Sequence, residues 1–124
     1  MSFAALLREI AGSCGGGIGA ALMGHDGIPI EQVLVHSAPE GPLREDIGTA
    51  GVEFGRILDE IRKASHALGG GQVVETLVTL SEFTLIFRTV DAETFLVVVL
   101  GPDGNLGKAR YLIRRYLLAI RREL

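Results

Sequence analysis

Three strand-like runs, residues 72–80, 83–90 and 94–100, are separated only by Ser81-Glu82 and by Asp91-Ala92-Glu93. Connections this short cannot carry a crossover, so the runs must fold as antiparallel hairpins. Before them, residues 44–68 read as one long helix. Ile47, Ala50, Phe54, Ile57, Leu58, Ile61, Ala64 and Leu68 fall within a narrow arc at about 100° per residue, and Gly69-Gly70-Gly71 ends it. A second hairpin precedes that helix. Its first strand is residues 18–23, its turn His25-Asp26-Gly27 and its return strand residues 28–35, where Pro29 demands an edge position or a bulge.

Helices flank these elements. Residues 3–10 form a short one, with Ser2 as N-cap and Phe3, Leu6, Leu7 and Ile10 on one face; the tract Gly12-Ser13-Cys14-Gly15-Gly16-Gly17 ends it and reads as a flexible connector. Residues 37–42 are a loop with two prolines. After the turn at residues 101–105, residues 106–122 form the last helix, with Leu106, Ala109, Leu112, Ile113, Tyr116, Leu117 and Ile120 as its apolar stripe. The order is α-β-β-α-β-β-β-α, and hairpins on both sides of a long helix make the class α+β, an antiparallel sheet with helices on its faces. No linker or repeat divides the 124 residues, so a single domain is expected.

Composition excludes several functions. The net charge of −3 argues against a nucleic-acid binder, which needs a basic surface. No apolar run approaches the ~18–20 residues of a membrane-spanning helix, Arg8 and Glu9 interrupt any leader-like segment, and the single cysteine forms no internal disulfide. A soluble cytoplasmic protein without integral membrane contact is expected.

Catalytic and cofactor motifs fail on inspection. Gly15-Gly16-Gly17-Ile18-Gly19 precedes a strand, whereas a dinucleotide fingerprint follows one. Gly107-Lys108 opens a helix as a phosphate loop does, but Pro102 stands where the first glycine belongs and Ala109 where the magnesium-binding hydroxyl belongs. His25, His36 and His66 lack metal-ligand spacing, Cys14 has no nearby base, and the Asp26-Gly27 pair is explained by its turn. A non-enzymatic binding module is expected, with no cofactor and no metal.

Two features point to binding. Gly48, Gly51 and Gly55 line one flank of the long helix, where each glycine costs about 1 kcal/mol relative to alanine; three together suit close approach by another backbone. With neighbouring Val52 and Arg56, and with Val73, Glu75 and Leu77 of the following strand, they form the expected partner or dimer interface. The last helix holds six of the twelve basic residues, with Tyr111 and Leu118 off its apolar stripe. A helix C-terminus favours cations, but the arrangement also suits a secondary docking surface, with Arg114 and Arg121 on the solvent side.

The segment Ala20-Ala21-Leu22-Met23-Gly24-His25-Asp26-Gly27-Ile28-Pro29-Ile30 and the segment Leu100-Gly101-Pro102-Asp103-Gly104-Asn105-Leu106-Gly107-Lys108-Ala109-Arg110-Tyr111 carry a resemblance. Together with the order of elements over essentially the whole chain, they resemble the roadblock (dynein light-chain) family, in particular its bacterial MglB-like members. The resemblance implies a profilin-like sandwich: a five-stranded antiparallel sheet with two helices on one face and the long helix on the other. It implies homodimers joined through the third strands with the long helices side by side. It also implies a Ras-like GTPase as partner, regulated through its own switch loops, with any stimulation of hydrolysis exerted on the partner's site. The alternative is a non-catalytic homodimeric scaffold for a motor, kinase or membrane-associated complex; a small-ligand sensor is a third reading.

Overall fold

The computed structural model describes residues 1–35 and 40–124. Helix α1 (Phe3–Ser13) is capped by Ser2, whose hydroxyl accepts from the Ala5 amide at 3.1 Å. It leads into β1 (Gly17–Gly24) and β2 (Pro29–Leu34). A short helix α2 (Pro42–Glu45) precedes the long helix α3 (Thr49–Leu68), which Gly69 ends in the left-handed conformation. Strands β3 (Glu75–Thr79), β4 (Thr84–Thr89) and β5 (Thr94–Leu100) follow, then α4 (Leu106–Glu123), whose N-cap Asn105 accepts from the Lys108 amide at 3.0 Å.

The strands form one antiparallel sheet in the order β2-β1-β5-β4-β3. Pro29 sits on the edge strand, where an amide is dispensable, and the β1–β2 register shifts beside it between Leu22 and Met23. Every residue of β5 is buried, so the sheet needs cover on both sides. Ala20, Leu22, Ile86, Leu96, Val98 and Leu100 meet Leu6, Leu7 and Ile10 of α1 and Leu112, Ile113, Leu117 and Ile120 of α4. Ala21, Met23, Leu85, Phe87, Phe95, Val97 and Val99 meet Ile47, Ala50 and Leu58 on the α3 side. This is the expected sandwich, two helices on one face and the long helix on the other.

The structure corrects three sequence readings. The long helix does not begin at residue 44: Asp46 is extended, and the Gly48 amide donates to the side chains of Asp46 (2.9 Å) and Gln32 (3.0 Å). That clamp from β2 stops α2 and restarts the chain as α3, so Gly48 is a cap residue outside the helix. Residues 37–39 of the 37–42 loop lie outside the described residues, as does His36, and Pro42 belongs to α2.

The glycine tract, third, is not a flexible connector. The carbonyls of Gly15 and Gly16 accept from the Asn105 and Gly101 amides at 2.8 and 2.9 Å. A Cβ on Gly16, whose φ is +79°, would lie 2.6 Å from the Gly104 Cα. The tract is the close crossing of two turns, and Cys14 is buried within it, its thiol donating to the Ala11 carbonyl while burial pushes its pKa up.

A Cβ on Gly17 would overlap the Ala11 carbonyl oxygen and press on the Cys14 Sγ, whereas one on Gly12 meets only ordinary contact with Val35. Gly17→Ala is therefore expected to cost about 2–3 kcal/mol, and Gly12→Ala to gain up to about 1 kcal/mol of helix propensity. Urea unfolding of the two variants checks both signs.

Candidate interaction face

The arc of apolar residues on α3 is not the arc that the sheet covers. Ala50, Gly51 and Leu58 are buried, and Phe54 and Ile61 are partly so, but Ile57 is 51% and Leu68 85% exposed, and Ala64 is exposed too. At about 100° per residue the covered face is rotated by roughly 60° from the centre of the apolar arc, toward Gly51 and Leu58. The cause is a close approach. A Cβ on Gly51 would lie 2.9 Å from both Cγ and Cε of Met23 in β1, so its absence lets the helix settle onto that side chain.

This seating divides the expected interface. Gly51 serves packing inside the domain, and Gly48 caps α3 against Pro29 and Gln32. Gly55 opens to empty space, beside exposed Val52 and Arg56. Val73 lies by Leu58 and Arg62 on the α3 side. Glu75 and Leu77 are paired in register with Arg88 and Ile86 and so lie on the opposite, α4 face, where the Arg110 Nε is 2.8 Å from the Glu75 carboxylate without hydrogen-bond alignment. The structure therefore does not bring all eight expected residues together.

Part of the apolar arc of α3 is left uncovered. Ile57, Ala64 and Leu68 make a stripe along α3, three residues from Phe54, whose ring packs 5.5 Å from Phe87 of β4. The same cluster takes in Val78 of β3, the outer strand, next to exposed Val74, Leu77 and Leu80. An unpaired strand edge beside uncovered apolar side chains is a template for pairing. Helical periodicity marks Ile57 and Leu68 as apolar; only the roll of the helix puts them outside.

Beyond the far flank of α3 lies a cleft of about 270 Å³ lined by His25, Arg62, Gln72, Thr89 and Asp91. Most of its polar side chains are already engaged. Arg62 pairs with Asp59 and donates to the His25 Nδ1 at 2.6 Å, and the His25 ring stacks on Phe95. The Asp91 carboxylate accepts from the Thr94 hydroxyl and from the Glu93 and Thr94 amides, which hold its pKa down. Desolvation, and then the Arg62 charge, lower the His25 pKa. The cleft is a structural network, which gives a ligand-sensor reading no support.

On α4, Tyr111 and Leu118 are exposed as expected. Arg114 and Arg121 are exposed as expected, and the Arg121 Nε also donates to the Val90 carbonyl at 2.7 Å, tying the helix to the end of β4. Among the described residues no helix is long and apolar enough to cross a membrane.

No family model and no curated protein matches the chain. Solved structures do. MglC from Myxococcus xanthus is 32% identical, with 100% of each chain covered and a TM-score of 0.70. A Roadblock/LC7 domain from Streptomyces avermitilis is 17% identical over 98% of this chain and 97% of its own, with a TM-score of 0.82. The gliding protein MglB from Thermus thermophilus is 19% identical over 96% of this chain and 85% of its own, with a TM-score of 0.81. The fold likeness extends to profilins, so the sandwich is profilin-like.

The lowered His25 pKa fixes a sign. As pH falls below the ordinary value of 6.5, the unfolded chain binds more protons than the folded one, so stability present at neutral pH is lost on acidification. His25→Gln removes the titrating ring and is expected to flatten the fall in thermal stability between about pH 7 and 5; an unchanged slope would place the titration elsewhere.

Proposed function

This chain belongs to the Roadblock/LC7 family, and on that premise we propose that it is a homodimeric regulator of a small Ras-like GTPase, working by protein contact rather than through catalytic groups of its own. The observation that carries this reading is an open β3 edge with exposed Val74, Leu77 and Leu80, together with an uncovered stripe of Ile57 and Leu68 on α3. Two copies paired through β3 would extend one sheet across both and bring their α3 helices alongside each other. The paired helices would then offer a platform with Val52 and Arg56 exposed and no side chain at half-buried Gly55 to hold a partner's backbone away. The MglB-like character of residues 20–30 and 100–111 supports a GTPase as the occupant of that platform. The GTPase supplies its own catalytic groups, and this protein acts on its switch loops.

Two variants separate the dimer from the platform. Leu77→Lys places a charge at the β3 edge and is expected to shift light scattering from dimer to monomer at micromolar concentration, with the circular dichroism spectrum retained. Gly55→Arg, which has space for its side chain, is expected to stay folded and to lose at least about tenfold in affinity for a Ras-like GTPase of the same genome loaded with a GTP analogue. Wild-type protein that neither co-elutes with any such GTPase nor alters its hydrolysis rate would overturn the proposal. A complex that forms without any rate change would support the scaffold reading instead.

A further inference from the structure

The modest net charge conceals a polarised molecule. Helix α4 holds six of the twelve basic residues and one of the fifteen acidic ones, so the remaining chain carries six basic against fourteen acidic. Helix stability does not explain this. Arg121 and Arg122 in the last turn suit the macrodipole, but Lys108 and Arg110 stand near the N-terminus, where a cation is unfavourable and the first turn of the helix holds no acidic residue. Internal pairing explains only part: Arg110 lies against Glu75, and Arg121 donates to the Val90 carbonyl. Among the described residues Lys108, Arg114, Arg115 and Arg122 have no carboxylate partner; Arg115 lies 5.6 Å over the Tyr116 ring.

The unpaired cations frame an apolar line. Tyr111 and Leu118 are two turns apart, 52% and 55% exposed, and Arg122 continues their row at the next turn. Arg114 flanks the line on one side and Arg115 on the other, and both are exposed. The helix needs none of this for packing, because Leu112, Ile113, Leu117 and Ile120 bury its opposite face.

We infer that this outer face of α4 (Tyr111, Arg114, Arg115, Leu118 and Arg122) docks an acidic amphipathic segment of a partner protein, on the side of the sheet away from the α3 platform. The geometry suits a helix laid alongside α4. Its apolar residues, two turns apart, cover Tyr111 and Leu118, and its carboxylates meet guanidinium forks on both flanks. Tyrosine and arginine are the residue types that dominate protein contacts, and arginine predominates over lysine here, as bidentate carboxylate recognition favours. A lipid surface fits less well. The broad apolar arc that would enter a bilayer is already buried against the sheet, leaving two separated side chains to insert.

The test uses the full chain and a labelled helical peptide with two leucines two turns apart flanked by glutamates, read by fluorescence anisotropy. Binding is expected, weakening as salt rises, and falling at least about tenfold for Arg114→Glu combined with Arg115→Glu and for Leu118→Ser. Gly55→Arg should bind the peptide as wild type does, which separates this surface from the α3 platform. Tyr111→Ser, a single solvent-facing change, stands in if the arginine double variant does not fold. Three results would overturn the inference: no peptide binding, equal binding of a peptide with serines for leucines, or binding unaffected by the variants. So would co-sedimentation with vesicles containing phosphatidylserine by a protein that ignores the peptide, which would assign the face to lipid. Self-association abolished by the arginine reversals would assign it to a second copy of this chain.

Discussion

Strand β5 is buried along its whole length on both faces, and that two-sided burial dictates the rest of the domain. Paired with β1 on one side and β4 on the other, it is the sheet's centre and cannot face water through either surface. A helical layer must therefore lie on each side, and the chain supplies α1 with α4 on one and α3 on the other. The layers are unequal. Two helices cover the first face thoroughly, whereas a single helix covers only part of the second, and the strand that it leaves least protected is β3 at the edge. The place where a partner can add cover follows from that shortage.

How α3 meets the sheet converts this shortage into a particular surface. A side chain at residue 51 would hold the helix off Met23; without one, the helix settles and rolls. The roll buries Leu58 and turns Ile57, Ala64 and Leu68 outward, so a packing decision inside the domain also selects the apolar groups offered outside it. A glycine costs helix propensity of about 1 kcal/mol; here the close contact offsets it. The second glycine in the helix, Gly55, has no such internal use. That asymmetry separates a residue serving the fold from one free to serve an interface.

Charge follows the same two-layer plan. The carboxylates are spread over turns, edge strands and α3 while α4 gathers cations, and the pairs Arg110–Glu75 and Arg62–Asp59 neutralise only a part of each. The engaged groups are structural: Arg62 supports the His25 ring, and Arg121 fastens α4 to β4. The α4 cations left without carboxylate partners among the described residues, Lys108, Arg114, Arg115 and Arg122, are exposed on its outward side.

What the sequence determined by itself was everything set within a few residues. The two- and three-residue turns required hairpins, Ser2 and Asn105 capped their helices, Gly69 ended α3, and Pro29 assigned β2 to an edge. The motifs at residues 20–30 and 100–111 identified the family as well. Tertiary structure decided what depends on residues distant in the chain. Gln32 reaches across to Gly48 and divides what reads as one helix; the turn at Gly101–Asn105 packs the glycine tract; Met23 sets the roll of α3; and pairing with β4 turns Glu75 and Leu77 away from the α3 side. Periodicity fixes which residues share a side of a helix, but not how that helix is rotated over its sheet. The rotation depends on the shape of the surface beneath, which exists only once the strands have paired.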